Sequence, residues 1–169
     1  MKRFFAIMAA LVLLLGLSAC KAQREDLMFY VLKEADVPQN AGTDTLLRAA
    51  KTKGRLVFTG EDVEGWLWAE HTVRLKSVNV KGSAADGGSV LFQTKAKDVF
   101  LLVLGNRVLY TGSFEAEKQG VYIQDAGDLD FKIGFQNAYG DLTDPRGSTA
   151  LYDFLIEQQL LVSEFKADE

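Results

Sequence analysis

Apolar positions fall in blocks whose spacing changes along the chain, and each change marks an element. Leu27 to Leu32 (LMFYVL) is continuously apolar and aromatic and predicts a first strand or an interfacial segment. The breaker-rich stretch Asp36 to Thr43, containing Pro38, Asn40 and Gly42, interrupts it. Asp44 then stands where a helix cap is expected. Leu46, Leu47 and Ala50 form the apolar face, and Gly54 takes the place of a left-handed C-terminal residue. Arg55 to Thr59 (RLVFT) reads as a strand closed by a turn at Gly60-Glu61-Asp62. Trp66 and Trp68 share a face if Gly65 to Glu70 is extended. Thr72 to Val80 alternates imperfectly through Val73, Leu75 and Val78, and its β-branched residues favour strand.

Lys81 to Ser89 (KGSAADGGS) is a loop by composition. Val99 to Leu104 (VFLLVL) leaves no room for a polar face and predicts a central strand buried on both sides. Gly105-Asn106 supplies a two-residue reversal, and Arg107 to Phe114 is the return strand. Val121 to Gln124 and Leu129 to Phe135 form a second hairpin around Asp125 to Asp128. Tyr139 to Gly147 is polar and irregular. Asp144-Pro145 looks like an N-cap with a first-turn proline, and Ser148 is a rival cap. Leu151, Phe154, Leu155 and Gln158 then keep helical spacing to about Gln159, while Leu160 to Phe165 reads as a short edge strand or a frayed end. Together these elements predict an α+β fold over residues 27–169: a mostly antiparallel sheet packed against two helices.

The first twenty residues follow a different rule. Lys2 and Arg3 precede Phe4 to Leu17, which carries no charge and is shorter than the roughly 20 apolar residues of a bilayer-spanning helix. That pattern is a signal-peptide core. It ends in Leu17-Ser18-Ala19-Cys20, which resembles the lipobox of bacterial lipoproteins. The resemblance implies cleavage before Cys20, a thioether-linked diacylglycerol on its sulfur and acylation of its amino group. Residues 1–19 would then be a signal peptide, and 20–26 a lipidated cysteine with a polar tether. Two or three acyl chains hold a domain where one holds it only marginally, since each buried CH2 adds about 0.8 kcal/mol. Lys21, not Asp, follows the cysteine, so nothing marks retention at an inner membrane.

Composition narrows the partners. The chain of 169 residues is 48% apolar, with 19 Lys+Arg against 23 Asp+Glu, which excludes disorder and non-specific nucleic-acid binding. Without residues 1–19 the balance is 17 cations against 23 anions, a net charge of −6. Anionic headgroups repel such a domain, so the expected membrane link is lipid and not a basic patch. One cysteine excludes an internal disulfide, and the fold must rest on its core.

Several segments, taken in order, are similar to an uncharacterised family of bacterial lipoproteins. They are Phe29-Tyr30-Val31-Leu32; Leu56 to Thr59 with Asp62-Val63; Trp68-Ala-Glu-His71 with Val73 and Leu75; Val99 to Phe114; and Asp144-Pro-Arg146 ahead of the last helix. In that family the strand pair matching Val99 to Phe114 looks distantly like the periplasmic domain of the SecD translocation factor. The resemblance implies an α+β sheet domain outside the membrane and no established reaction. The chain departs from it after Phe114, where the charged Glu115 to Gln119 (EAEKQ) replaces a Ser-rich stretch.

Candidate chemistry is sparse. His71 is the only imidazole, so a zinc site would have to draw its other ligands from carboxylates; a hydrogen bond from His71 to a backbone group or carboxylate is the expected use. Asp125, Asp128, Asp130, Asp141 and Asp144 could offer oxygens to calcium, but the spacing departs from the twelve-residue loop motif, and turn formation explains the first two. No metal and no cofactor is assigned. No nucleophile elbow, dinucleotide fingerprint or phosphate-binding Gly-Lys motif occurs, and the Ser163 to Lys166 pair lies in the tail. Phe29, Tyr30, Trp66, Trp68 and Tyr110 could line a groove for a peptide, glycan or lipid, and Trp66, Trp68 and Tyr110, with His71, are the candidate surface for a ligand or partner, against the expectation that most aromatics fill the core.

The favoured expectation is therefore a non-enzymatic binding or accessory domain, lipid-anchored at Cys20 outside the cytoplasm and meeting an envelope protein or small ligand. In a two-membrane host it would sit on the outer membrane facing the periplasm. The rivals are a lipid-anchored hydrolase of an envelope polymer and a ligand-binding lipoprotein serving a transporter.

Overall fold

The computed structural model describes residues 25–77, 87–115, 119–127 and 129–165. The predicted leader, Cys20, most of the tether, Val78, the first part of the 81–89 loop, Asp128 and Lys166 lie outside them. Among the described residues the architecture is α+β: one mostly antiparallel sheet of eight strands with two helices. The strands are β1 (Leu27–Leu32), β2 (Arg55–Thr59), β3 (Val63–Leu67), β4 (Thr72–Leu75), β5 (Val99–Leu104), β6 (Arg107–Ser113), β7 (Gly120–Asp125) and β8 (Asp130–Gln136). The helices are α1 (Thr43–Lys53) and α2 (Thr149–Glu157). Strand order is β2-β1-β5-β6-β7-β8-β4-β3, and among the described strands only β6 and β7 pair in parallel.

This sheet is rolled. β2 and β8 stand five strand spacings apart, about 24 Å if the sheet were flat, yet the rings of Phe58 on β2 and Phe131 on β8 are 5.7 Å apart. The short helical turn Gly60–Asp62 joins the two edge strands, β2 and β3, directly. Asp62 fixes that turn by accepting from the Thr59 N–H (2.7 Å) and hydroxyl (3.0 Å). The open edge of β3 is covered by the chain after α2: Trp66 N–H donates to the Leu160 carbonyl (2.8 Å), and Val162 N–H to the Trp66 carbonyl (3.2 Å). The tail thus adds a parallel bridge rather than fraying.

Phenyl rings fill the inside of the roll. Phe29 stacks on Phe58 (4.7 Å), Phe92 (5.1 Å) and Phe100 (5.2 Å), and Phe92 meets Phe131 edge-on (5.0 Å). Phe92 belongs to the irregular segment before β5, where Arg55 donates to its carbonyl. On the outside, Ala50 of α1 packs with Leu101 and Val103, flanked by Leu46 and Leu47. β5 therefore sends Phe100, Leu102 and Leu104 inward and Leu101 and Val103 under the helix, which is why its sequence has no polar phase. Its hairpin with β6 turns at Gly105 (φ +60°) and Asn106.

Three local expectations are corrected, and the two rival caps before α2 are each placed. Gly42, not Asp44, is the N-cap of α1; Asp44 lies in the first turn, where its charge favours the helix dipole. Gly54 is extended at φ −71°, and what excludes a side chain there is the Ala50 carbonyl oxygen, 2.6 Å from where a Cβ would stand. The extended segment through Glu70 stops at Leu67, and Trp68 to His71 reverse the chain between β3 and β4. Both proposed caps before α2 are used. Asp144 caps the short turn Pro145–Gly147, accepting from Arg146 N–H (3.0 Å), and Ser148 occupies the N-cap position of α2 without a side-chain bond.

Candidate functional site

The β3–β4 turn carries two of the singled-out residues and is braced from two sides. His71 adopts left-handed backbone (φ +52°), and its N–H donates to the Trp68 carbonyl at 3.3 Å. The His71 carbonyl accepts from Ile133 N–H of β8 (2.9 Å), and the Ile133 carbonyl accepts from Arg146 (2.9 Å). Arg146 is itself fixed by a fork on Asp144, with Nε at 2.9 Å and Nη2 at 2.6 Å, and its guanidinium lies 5.7 Å from the Phe135 ring. The Asp144-Pro-Arg146 and Trp68-to-His71 segments, far apart in sequence, are thus linked through one residue of β8.

Above this brace lies an aromatic face. The Trp68 ring is 5.6 Å from the His71 ring and meets Tyr152 of α2 edge-on at 5.0 Å. Tyr152 is 38% exposed and Ile156, one turn later, 52%. Neither helix residue was legible from the row Leu151, Phe154 and Leu155, which packs inward. The signal that could have found them is the second i, i+4 row, Tyr152 and Ile156, displaced around the same helix.

Trp66 and Tyr110 do not join that surface. Trp66 is fully buried among the inward residues of the roll, and Tyr110 is 5% exposed, edge-on to Phe100 at 6.4 Å. A strand residue facing the concave side has no route to solvent, so the candidate surface contracts to Trp68 and His71 and gains Tyr152 and Ile156. The Trp66 indole nitrogen, the Tyr110 hydroxyl and His71 Nδ1 are enclosed with no hydrogen-bond partner among the described residues. The expected side-chain hydrogen bond of His71 is therefore not made through Nδ1.

Burial lowers the His71 pKa, and the Arg146 charge lowers it further; Asp144 opposes this and Lys132 adds to it. Asp144 is held below the carboxylate range chiefly by its hydrogen bond from Arg146, against its own partial burial. Burial raises the pKa of Tyr110 far above its usual value. The folded state binds the His71 imidazole proton less readily than the unfolded chain, so stability is full above the ordinary value of 6.5 and is lost as pH falls below it. Thermal unfolding of the wild type should therefore lose more between pH 7 and pH 5 than that of His71→Asn, a residue that tolerates left-handed backbone. Equal pH slopes for the two proteins would rule this out.

The acidic residues are dispersed among separate partners. Asp125 accepts from the Ser89 hydroxyl and from Val90 N–H (3.0 Å), Asp130 takes the fork of Arg74 (2.8 and 2.9 Å), and Asp141 lies 3.4 Å from the Gln119 amide nitrogen. Among the described residues no group of three His, Cys, Asp or Glu is placed to hold a metal, and no helix is long and apolar enough to cross a membrane. No family model, curated protein or solved structure matches the chain.

Proposed function

We propose that the chain is an extracytoplasmic lipoprotein, held to its membrane by acyl chains on Cys20, whose domain works by binding through the Trp68–Tyr152 face and not by catalysis. The observation that carries this reading is the leader itself: two cations, fourteen uncharged residues and Leu17-Ser18-Ala19-Cys20, followed almost at once by a folded domain. The Asp26 carbonyl already accepts from Gly105 N–H at 2.9 Å. Only Lys21 to Glu25 separate it from the cysteine, a reach of at most about 22 Å. Such a tether keeps the domain beside the bilayer, where a partner confined to the same layer is met at high effective concentration. In a two-membrane host, Lys21 after the cysteine favours the outer membrane, facing the periplasm.

A binding role draws support from where the polar groups are spent. Asp130 and Asp144 are each engaged by an arginine, and Asp125 by the loop that carries Phe92. The inside of the roll is occupied by phenyl rings, so a ligand docks on the outer surface. Intact-mass analysis of the membrane-extracted protein should find Cys20 at the N-terminus carrying two or three acyl chains. Cys20→Ser should abolish the added mass and release the domain from the membrane fraction. An unmodified Cys20 with the leader retained would overturn the proposal.

A further inference from the structure

We propose that the face formed by α2 and the β3–β4 turn docks a cationic amphipathic helix of a partner protein. This deepens the binding role above and rests on it. Outside its buried row, α2 presents two parallel rows to solvent: Tyr152 and Ile156, both apolar, and Asp153 and Glu157, both acidic. Residues four apart lie one above the other on a helix, and a step of one residue moves about 100° around it, so the two rows stand side by side. Neither Asp153 nor Glu157 forms an ion pair among the described residues. Glu70, exposed in the same turn as Trp68, adds a third carboxylate to the turn.

The spacing selects the partner's shape and the charge selects its sign. A helix carrying Leu and Lys or Arg in adjacent i, i+4 rows matches both rows of α2 at once, and Trp68 can receive a cation on its π face. Anionic headgroups are repelled by the same carboxylates. A second copy of this face would bring acidic row against acidic row. The contact is short, since nine helical residues span roughly 13 Å, and it belongs with small, transient interfaces.

The test uses the full chain, in phosphatidylcholine nanodiscs if it is acylated and in buffer if it is not, titrated with a synthetic eighteen-residue Leu/Lys helix of this pattern. Calorimetry should show saturable binding that weakens with salt, and tryptophan emission should shift, because Trp66 is enclosed and Trp68 faces the site. Asp153→Lys with Glu157→Lys should weaken binding at least about tenfold, as should Tyr152→Ala with Ile156→Ala. Asp153 and Glu157 are exposed, so an unchanged unfolding midpoint is expected for the Lys variant; the Ala variant loses the Tyr152 edge on Trp68 and some stability with it, and a native far-UV spectrum at the titration temperature verifies its folding. A Glu-for-Lys peptide should not bind. Equal affinity of the wild type and the Lys variants, preference for phosphatidylglycerol vesicles over the peptide, or self-association abolished by the same substitutions would each overturn the inference. Peptide binding without acylation removes only the anchor, and acylation without peptide binding removes only the docking face.

Discussion

Phe29→Ala lowers the unfolding free energy by about 3–5 kcal/mol and the thermal midpoint by roughly 10 °C or more. Phe29 sits on β1, flanked by β2 and β5, and its ring contacts those of Phe58, Phe92 and Phe100 at close to stacking distance. Removing it takes away the ring that touches three neighbours and leaves a hole enclosed by aromatic groups, which are too rigid to collapse into it. Phe29 also lies 6.2 Å from Phe131 across the roll, so the loss is felt on both walls. Phe29→Leu, which refills most of the volume, should recover more than half of the loss. Urea unfolding of the two variants measures this, and a cost below about 1 kcal/mol for the alanine variant would show that the rings do not hold the roll closed.

Gly112→Ala is the second large effect, and its sign is opposite to the usual gain from replacing a strand glycine. A Cβ at Gly112 would stand 2.2 Å from the Val121 carbonyl oxygen and 2.5 Å from the Phe100 ring. The obstructing oxygen belongs to the β6–β7 junction, where only Gly112 with Val121 and Ser113 with Tyr122 are in register. Backbone in a ladder cannot step aside without breaking it, so the expected cost is about 3 kcal/mol, at the upper end for overpacking. Gly134 offers the matched control. Its Cβ would meet Tyr122, but through the far end of a side chain that is not fully buried and can swing outward. Gly134→Ala should cost under about 1.5 kcal/mol. Denaturation giving the reverse ranking would mean that the parallel junction does not join the two halves of the sheet.

Much of the local structure was legible because burial leaves its mark on sequence. The β5 run lacks a polar phase because both of its faces are covered, and Gly105-Asn106 marks its reversal by composition alone. β1, the two hairpins and the apolar rows of α1 and α2 were readable for the same reason. The rolling of the sheet was not, since strand order depends on pairings such as β1 with β5 and β4 with β8 that leave no periodic trace. Phe92 was missed because an irregular segment gave no reason to expect a core ring. At the site, Trp68 and His71 drew attention by residue type, whereas the part played by Arg146 depends on the Ile133 carbonyl, a backbone atom that no residue pattern announces. The two-residue alternation that would put Trp66 and Trp68 on one face holds only while a strand continues, and β3 stops between them.

The pairing of β1 with β5 also constrains the order in which the molecule acquires its shape. Leu27 faces Leu104 and Leu32 faces Val99, so one of the first folded segments waits for partners about 70 residues downstream. A nascent chain would hold β1 against β2 as a two-stranded ribbon, with α1 on its outer side and the Phe29–Phe58 side uncovered, until β5 is complete. Long-range closure of this kind places folding in the slower, millisecond-to-second regime. During that interval the unfinished ribbon is the species most exposed to aggregation and most in need of a holdase.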